Sequence, residues 1–278
     1  MGTLFEFLKQ NPIILFLLLA GIVAGPVTGW LRPDELFGHL LFPFVSLSVA
    51  VVLFEGSLTL RFADIRGLER VVRRMVTSGL LVTWAVGAYA SYRLLGFAVE
   101  LAVLFGAFIV VTGPTVIVPM LRTVRPRANL SNILRWEGIV IDPIGALLAV
   151  LVFEFIISGQ GGEALSHTLW SFARIVAVGL LFGIASGQLM GLALRHHWLP
   201  QYLHNVAVLA LVFAVFALSN AAEAEAGLLA VTVMGMWLAN MPRVSVTHIL
   251  DFKESLSLLL ISTLFVVLAA RIDFTQLQ

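Results

Sequence analysis

Asp142 stands in the stretch Trp136-Glu-Gly-Ile-Val-Ile-Asp-Pro-Ile-Gly-Ala-Leu-Leu, a carboxylate followed by proline inside an apolar run long enough to cross a bilayer. A charge at that depth costs several kcal/mol, and such residues read by default as ion sites or proton relays. Glu137 lies five residues earlier, and Thr112-Gly-Pro-Thr-Val interrupts the preceding apolar run. On a helix Gly138 and Asp142 share one face, whereas Glu137 points roughly 140° away, toward a different neighbour. Pro114 and Pro119 each remove a backbone donor, and Gly113 weakens the helix further. In lipid a broken helix is tolerated where it is buried in protein or lines a cavity, and its freed carbonyls can hold a cation. The competing reading of the prolines is an ordinary kink, and the carboxylate on the next span tips the balance away from it.

Depth points the same way. Glu55 precedes Arg61 by about 9 Å of helical rise, Thr112 precedes Arg122 by about 15 Å, and Asp142 follows Arg135 by about 10 Å. Three oxygen-bearing side chains from three spans thus reach comparable depth. Hard monovalent cations favour such carboxylate, hydroxyl and carbonyl oxygens.

The elements that must position these residues are membrane helices. The chain is 60% hydrophobic and 12% charged, with a mean hydropathy of +1.01, against about 25% charged in soluble domains. An all-α polytopic membrane protein is expected, with spans at 12–30, 38–60, 75–97, 101–121, 136–157, 171–194, 202–219, 225–241 and 255–270. The fourth is expected to be discontinuous. The N-terminus lacks a basic n-region and a small-residue cleavage site, so the first run is read as a retained helix.

Thirteen of the 17 Lys and Arg residues then fall on one side if the N-terminus is cytoplasmic: Lys9, Arg61, Arg66, Arg70, Arg73, Arg74, Arg122, Arg125, Arg127, Arg135, Arg195, Arg243 and Lys253. Arg32, Arg93 and Arg271 fall on the other, with Arg174 in the outer end of a span. This alternation predicts an N-in, multi-pass protein of a cell membrane.

Composition also excludes. No cysteine is present, so disulfides, thiolate metal sites and a Cys nucleophile are out. A net charge of +1 and the lack of a basic tail give no case for nucleic acid. Neither Gly-x-Ser-x-Gly nor His-Glu-x-x-His occurs, which argues against an enzyme. A channel filter would need more than the single Thr112-Gly-Pro-Thr-Val. His196, His197 and His204 read as loop residues, Glu154 as a snorkelling acid, and Glu223 and Glu225 as solvated. Trp30, Trp170, Trp198 and Trp237 read as interfacial anchors.

Leu53-Phe-Glu-Gly-Ser-Leu-Thr-Leu, Val111-Thr-Gly-Pro-Thr-Val-Ile-Val-Pro, Glu137-Gly-Ile-Val-Ile-Asp-Pro-Ile-Gly-Ala and Glu225-Ala-Gly-Leu-Leu-Ala-Val-Thr-Val resemble, in order, stretches of the NhaP-like sodium/proton exchanger family of monovalent cation/proton antiporters. The resemblance implies that Asp142 binds cation and proton by turns, that Thr112 sits at the unwound crossover, and that Glu55 lines the site. It implies that Glu137 pairs with an arginine on a later helix, with Gly138, Gly113, Pro114 and Pro119 supporting the site. Na⁺, or alternatively K⁺, and H⁺ would be the cargo; no cofactor is implied, and a homodimer in the bacterial inner membrane is. Two positions depart from the pattern: Ile141 stands where the family carries Asn or Asp, and Gly138 where many members carry Ser. The family's inverted-repeat fold has about a dozen helices, and its later Arg-Gly stretch does not occur here. Residues 1–278 are therefore expected to be a truncated transmembrane domain, with further helices and any cytoplasmic domain absent.

Overall fold

The computed structural model describes residues 12–113, 117, 120, 121, 124–157, 162–198, 200–242, 244 and 247–272. All regular structure among them is helical. Helix α1 (Pro12–Ile22) runs into a π-turn at Val23–Val27, and the short α2 (Pro33–Phe37) leads into α3 (Leu41–Leu58). A connector with a 3₁₀ turn at Phe62–Ile65 reaches α4 (Glu69–Arg74), which passes through a second π-turn (Met75–Gly79) into α5 (Leu80–Leu94). Then follow α6 (Val99–Ile109), α7 (Ala128–Ile157), α8 (Gly162–Arg195), α9 (His204–Ala222), α10 (Ala226–Ala239) and α11 (Thr247–Ala270).

Each expected span corresponds to one of these helices or to a helix with its adjoining turn. The fifth, sixth and ninth begin eight or nine residues earlier than expected, at Ala128, Gly162 and Thr247. Hydropathy registers only the lipid-buried part of a helix, whereas backbone hydrogen bonding carries it on into the headgroup layer. The fourth span is discontinuous as expected. Helix α6 ends at Ile109, Val111–Gly113 belong to no helix, and the chain is helical again at Ile117. The backbone N–H of Ile117 reaches back to the carbonyl of Gly113 at 3.4 Å. Pro114 and Pro119 lie outside the described residues.

Two groups of helices form. Helices α5 and α6 pack on one another and, through α6, on α7; α3 and α8–α11 form the larger body, and α1 lies against α11. Its core joins Phe54 and Leu58 of α3 to Val208 and Val212 of α9 and Met234 and Leu238 of α10. In lipid the hydrophobic effect does not drive helices together, so close backbone approach must. Helix α8 supplies it with Gly179, Gly183, Gly187 and Gly191, one per turn along the face that meets α10. A methyl group on Gly183 would lie 2.6 Å from the carbonyl oxygen of Ala230, and one on Gly187 would lie 3.1 Å from that of Met234.

Polar links sort the connectors onto two ends. On one, Asn240 donates to the carbonyls of Leu60 (2.8 Å) and Met236 (2.7 Å) and accepts the N–H of Phe62 (2.7 Å), while Asn132 donates to the carbonyl of Asp64 at 3.0 Å. On the other, Arg174 pairs with Glu223 at 2.6 Å and Arg271 with Asp34 at 3.1 Å. This grouping matches the alternation read from the charges. It also corrects one expectation: Glu223 is paired with Arg174 rather than solvated. Trp30, Trp170, Trp198 and Trp237 are all exposed, as interfacial anchors are.

Candidate functional site

Helix α7 presents one face to the crossover, and the face is built from small residues. A methyl group on Gly138 would lie 2.9 Å from Cδ1 of Ile117 and 3.4 Å from the carbonyl oxygen of Thr112. One on Gly145 would collide with Cγ2 of Val111. Asp142 lies between these glycines, four residues after the first and three before the second, so all three face the break in the fourth span. Pro143 follows within the same helix and leaves the carbonyl of Ile139 without its helical donor.

Asp142 is half-buried and faces a cavity of about 250 Å³. Val49, Val52 and Leu53 of α3 form one wall; Ile261, Leu264, Phe265 and Leu268 of α11 form another; Gly113 of the crossover closes the side. Among the described residues Asp142 is the sole ionisable one in this lining. A carboxylate facing hydrocarbon is stable when neutralised, either by a proton or by a bound cation. The arrangement can therefore hold either at the same oxygens.

The other expected site residues are placed unevenly. Thr112 does not line the cavity: its hydroxyl donates to Oε1 of Glu137 at 2.9 Å. Glu137 itself is buried, with 6% exposure. The resemblance implied a later arginine for this acid; among the described residues it is the crossover threonine that meets it. Gly113, expected only as a helix breaker, reaches the cavity. Glu55 lies on α3 beyond the cavity-lining Leu53, half-buried and outside that lining. The adjacent Gly56 packs on Ile139, 3.5 Å from where a methyl group would sit.

Ile141, the departure beside the aspartate, is 3% exposed and packs with Leu80 of α5 and Val110 at the end of α6. The position before Asp142 thus faces an apolar contact between helices rather than the cavity. The α11 wall went unforeseen. Its four residues are ordinary apolar residues of a span, and nothing in their types distinguishes them from lipid-facing neighbours.

A helix interrupted beside a second helix that carries a carboxylate toward an apolar cavity is the arrangement in which discontinuous membrane helices build ion sites. The chain belongs to the sodium/hydrogen exchanger transmembrane family, whose pattern it matches over residues 1–278. It is 23% identical to a Na⁺/H⁺ antiporter, NhaG, of Bacillus atrophaeus, over 96% of this chain and 53% of that protein. It is 25% identical to a K⁺/H⁺ antiporter, NhaP2, of Shewanella oneidensis, over 86% of this chain and 42% of that protein. The fold superposes on the sodium proton antiporter MjNhaP1 of Methanocaldococcus jannaschii with a TM-score of 0.80 at 21% identity, covering 98% of this chain and 69% of that one. The chain spans about half the length of the curated relatives it matches.

Proposed function

We propose that the protein is a secondary active antiporter that exchanges a monovalent cation, Na⁺ in the first instance, for H⁺ by competition at Asp142. Deprotonated Asp142 takes the cation from one side, a proton displaces it, and the neutral site returns across the membrane. The carrying observation is that, among the described residues, Asp142 is the sole ionisable one lining the cavity beside the crossover. The carbonyls of the unwound Val111–Gly113 and the Ile139 carbonyl freed by Pro143 are candidate further oxygen donors, together with Thr112 and Glu55 implied by the resemblance. Glu137 holds the crossover in place through the Thr112 hydroxyl. Because Ile141 leaves one acid in the dipeptide, exchange is expected to be one-for-one and electroneutral.

The alternation of lysines and arginines along the chain supports a cytoplasmic N-terminus, and the family resemblance makes the bacterial inner membrane the expected location and a homodimer the expected assembly. A K⁺/H⁺ antiporter of the same fold is the second reading, since the relatives carry both names.

Asp142→Asn, made in the full open reading frame, should abolish cation-dependent proton flux in everted vesicles at unchanged expression. Retained flux would remove Asp142 from the mechanism. Competition also fixes a pH signature. On the acidic side, the half-saturating cation concentration should rise about ten-fold per unit fall in pH while the maximal rate holds, because one proton and one cation contend for one group. A maximal rate that falls with an unchanged half-saturating concentration would sink the shared site. Comparing Na⁺ with K⁺ in the same vesicles separates the two antiporter readings, and flux without a counter-ion would indicate a channel.

A further inference from the structure

Seven arginines lie at the end of the molecule where Asn132 of α7 holds the connector between α3 and α4. Arg61, Arg66, Arg70, Arg73 and Arg74 lie between α3 and the second π-turn, and Arg125 and Arg127 lie just before α7; all seven are exposed. Among the described residues no salt bridge ties any of them to a carboxylate. Asp64 and Glu69 are the only acids within residues 61–74. The segment is two-sided. Ile65 and Val72 are buried, and with Leu68 they pack on Trp136, Ile139 and Ile133 of α7. The opposite side carries the arginines together with exposed Phe62 (57%) and Val71 (43%). The exposed Phe62 ring rests on the buried Trp136 indole, centroids 5.4 Å apart, which ties the exposed face to α7.

We infer that residues 61–74, with Arg125 and Arg127, form a docking surface for anionic phospholipid headgroups, anchored directly on the helix that carries Asp142. The chemistry fits on both counts: unpaired guanidiniums match phosphodiester oxygens, and exposed apolar side chains interleaved with them match the acyl boundary. Through Trp136 and Ile139 a bound headgroup layer bears on α7 within two turns of Asp142. The inference does not depend on the transported ion, and its test does not read transport.

The full-length protein in detergent is titrated with short-chain phosphatidylglycerol or phosphatidylcholine, and the thermal unfolding midpoint is followed. Phosphatidylglycerol should raise the midpoint well beyond phosphatidylcholine, and choline chloride should reverse the difference by screening. The triple variant R70Q/R73Q/R74Q should need at least ten-fold more phosphatidylglycerol for half its effect, from about five-fold per arginine. R70K/R73K/R74K should keep most of the response. Equal stabilisation by the two lipids, an unshifted triple variant, or the same rise with inorganic phosphate alone would overturn the proposal. If the triple variant does not fold, the lipid comparison and its salt reversal in the unaltered protein decide.

Discussion

At Glu137 and Asp142, five residues apart on one helix, two acids meet different surroundings, and the difference sorts their roles. Glu137 is buried against the crossover and accepts the Thr112 hydroxyl, whereas Asp142 looks into an apolar cavity. Removing the hydroxyl by Thr112→Val should cost about 1–3 kcal/mol, the usual penalty for depriving a buried polar group of its partner. Thr112→Ser should restore most of it. Unfolding midpoints of the purified variants check both, and equal midpoints for Val and Thr would show the bond to be idle. Ile141 gives a second residue-scale expectation. Ile141→Asn places an amide in the apolar contact with Leu80 and Val110, at a cost of about 1–3 kcal/mol. The polar dipeptide seen elsewhere in the family is therefore not recovered here by one substitution. A midpoint for Ile141→Asn equal to that of the unaltered protein would refute this. Asp142 was legible in the sequence because a charge in an apolar run is rare. Its separation from Thr112 was not, because a threonine hydroxyl serves a carboxylate on either neighbour equally well.

Element by element, apolar length announced every span, while its ends escaped notice. The early starts of α7 at Ala128 and α8 at Gly162 lie in polar sequence that hydropathy discounts. The break after Ile109 was readable from Gly113 and Pro114, since those residue types forbid the regular ladder. Glycine packing was only half readable: the four-residue spacing along α8 is visible in the sequence, its partner is not. Gly183→Leu should force α8 away from Ala230 and Val233 of α10 and cost about 1–3 kcal/mol or more, as overpacking does. Gly56→Ala, with Ile139 at an ordinary 3.5 Å, should be nearly neutral. Size-exclusion profiles and unfolding midpoints of the two variants separate a close helix crossing from a merely small residue.

Across the whole molecule, the charge alternation anticipated which connectors share an end, and the Asn240, Asn132, Arg174 and Arg271 links agree with it. Which helices touch was closed to a single sequence, because lipid-facing and protein-facing apolar residues are chemically alike. The contact between α1 and α11 is the extreme case. Gly21 and Gly25 approach Val266, Ala269 and Ala270 so closely that no methyl group fits between them, and Asp34 is fastened to Arg271 beyond them. During synthesis the first of these helices is inserted long before the other exists. At about 5–20 residues per second, α1 waits on the order of ten to fifty seconds for its partner. Throughout that interval its glycine face lies open in the bilayer. Chains stalled before residue 247 should accordingly be cleared by membrane proteases faster than chains that reach Ala270, a difference that pulse-chase labelling reads directly. A helix inserted more than two hundred residues ahead of its partner thus finds its place only when that partner arrives.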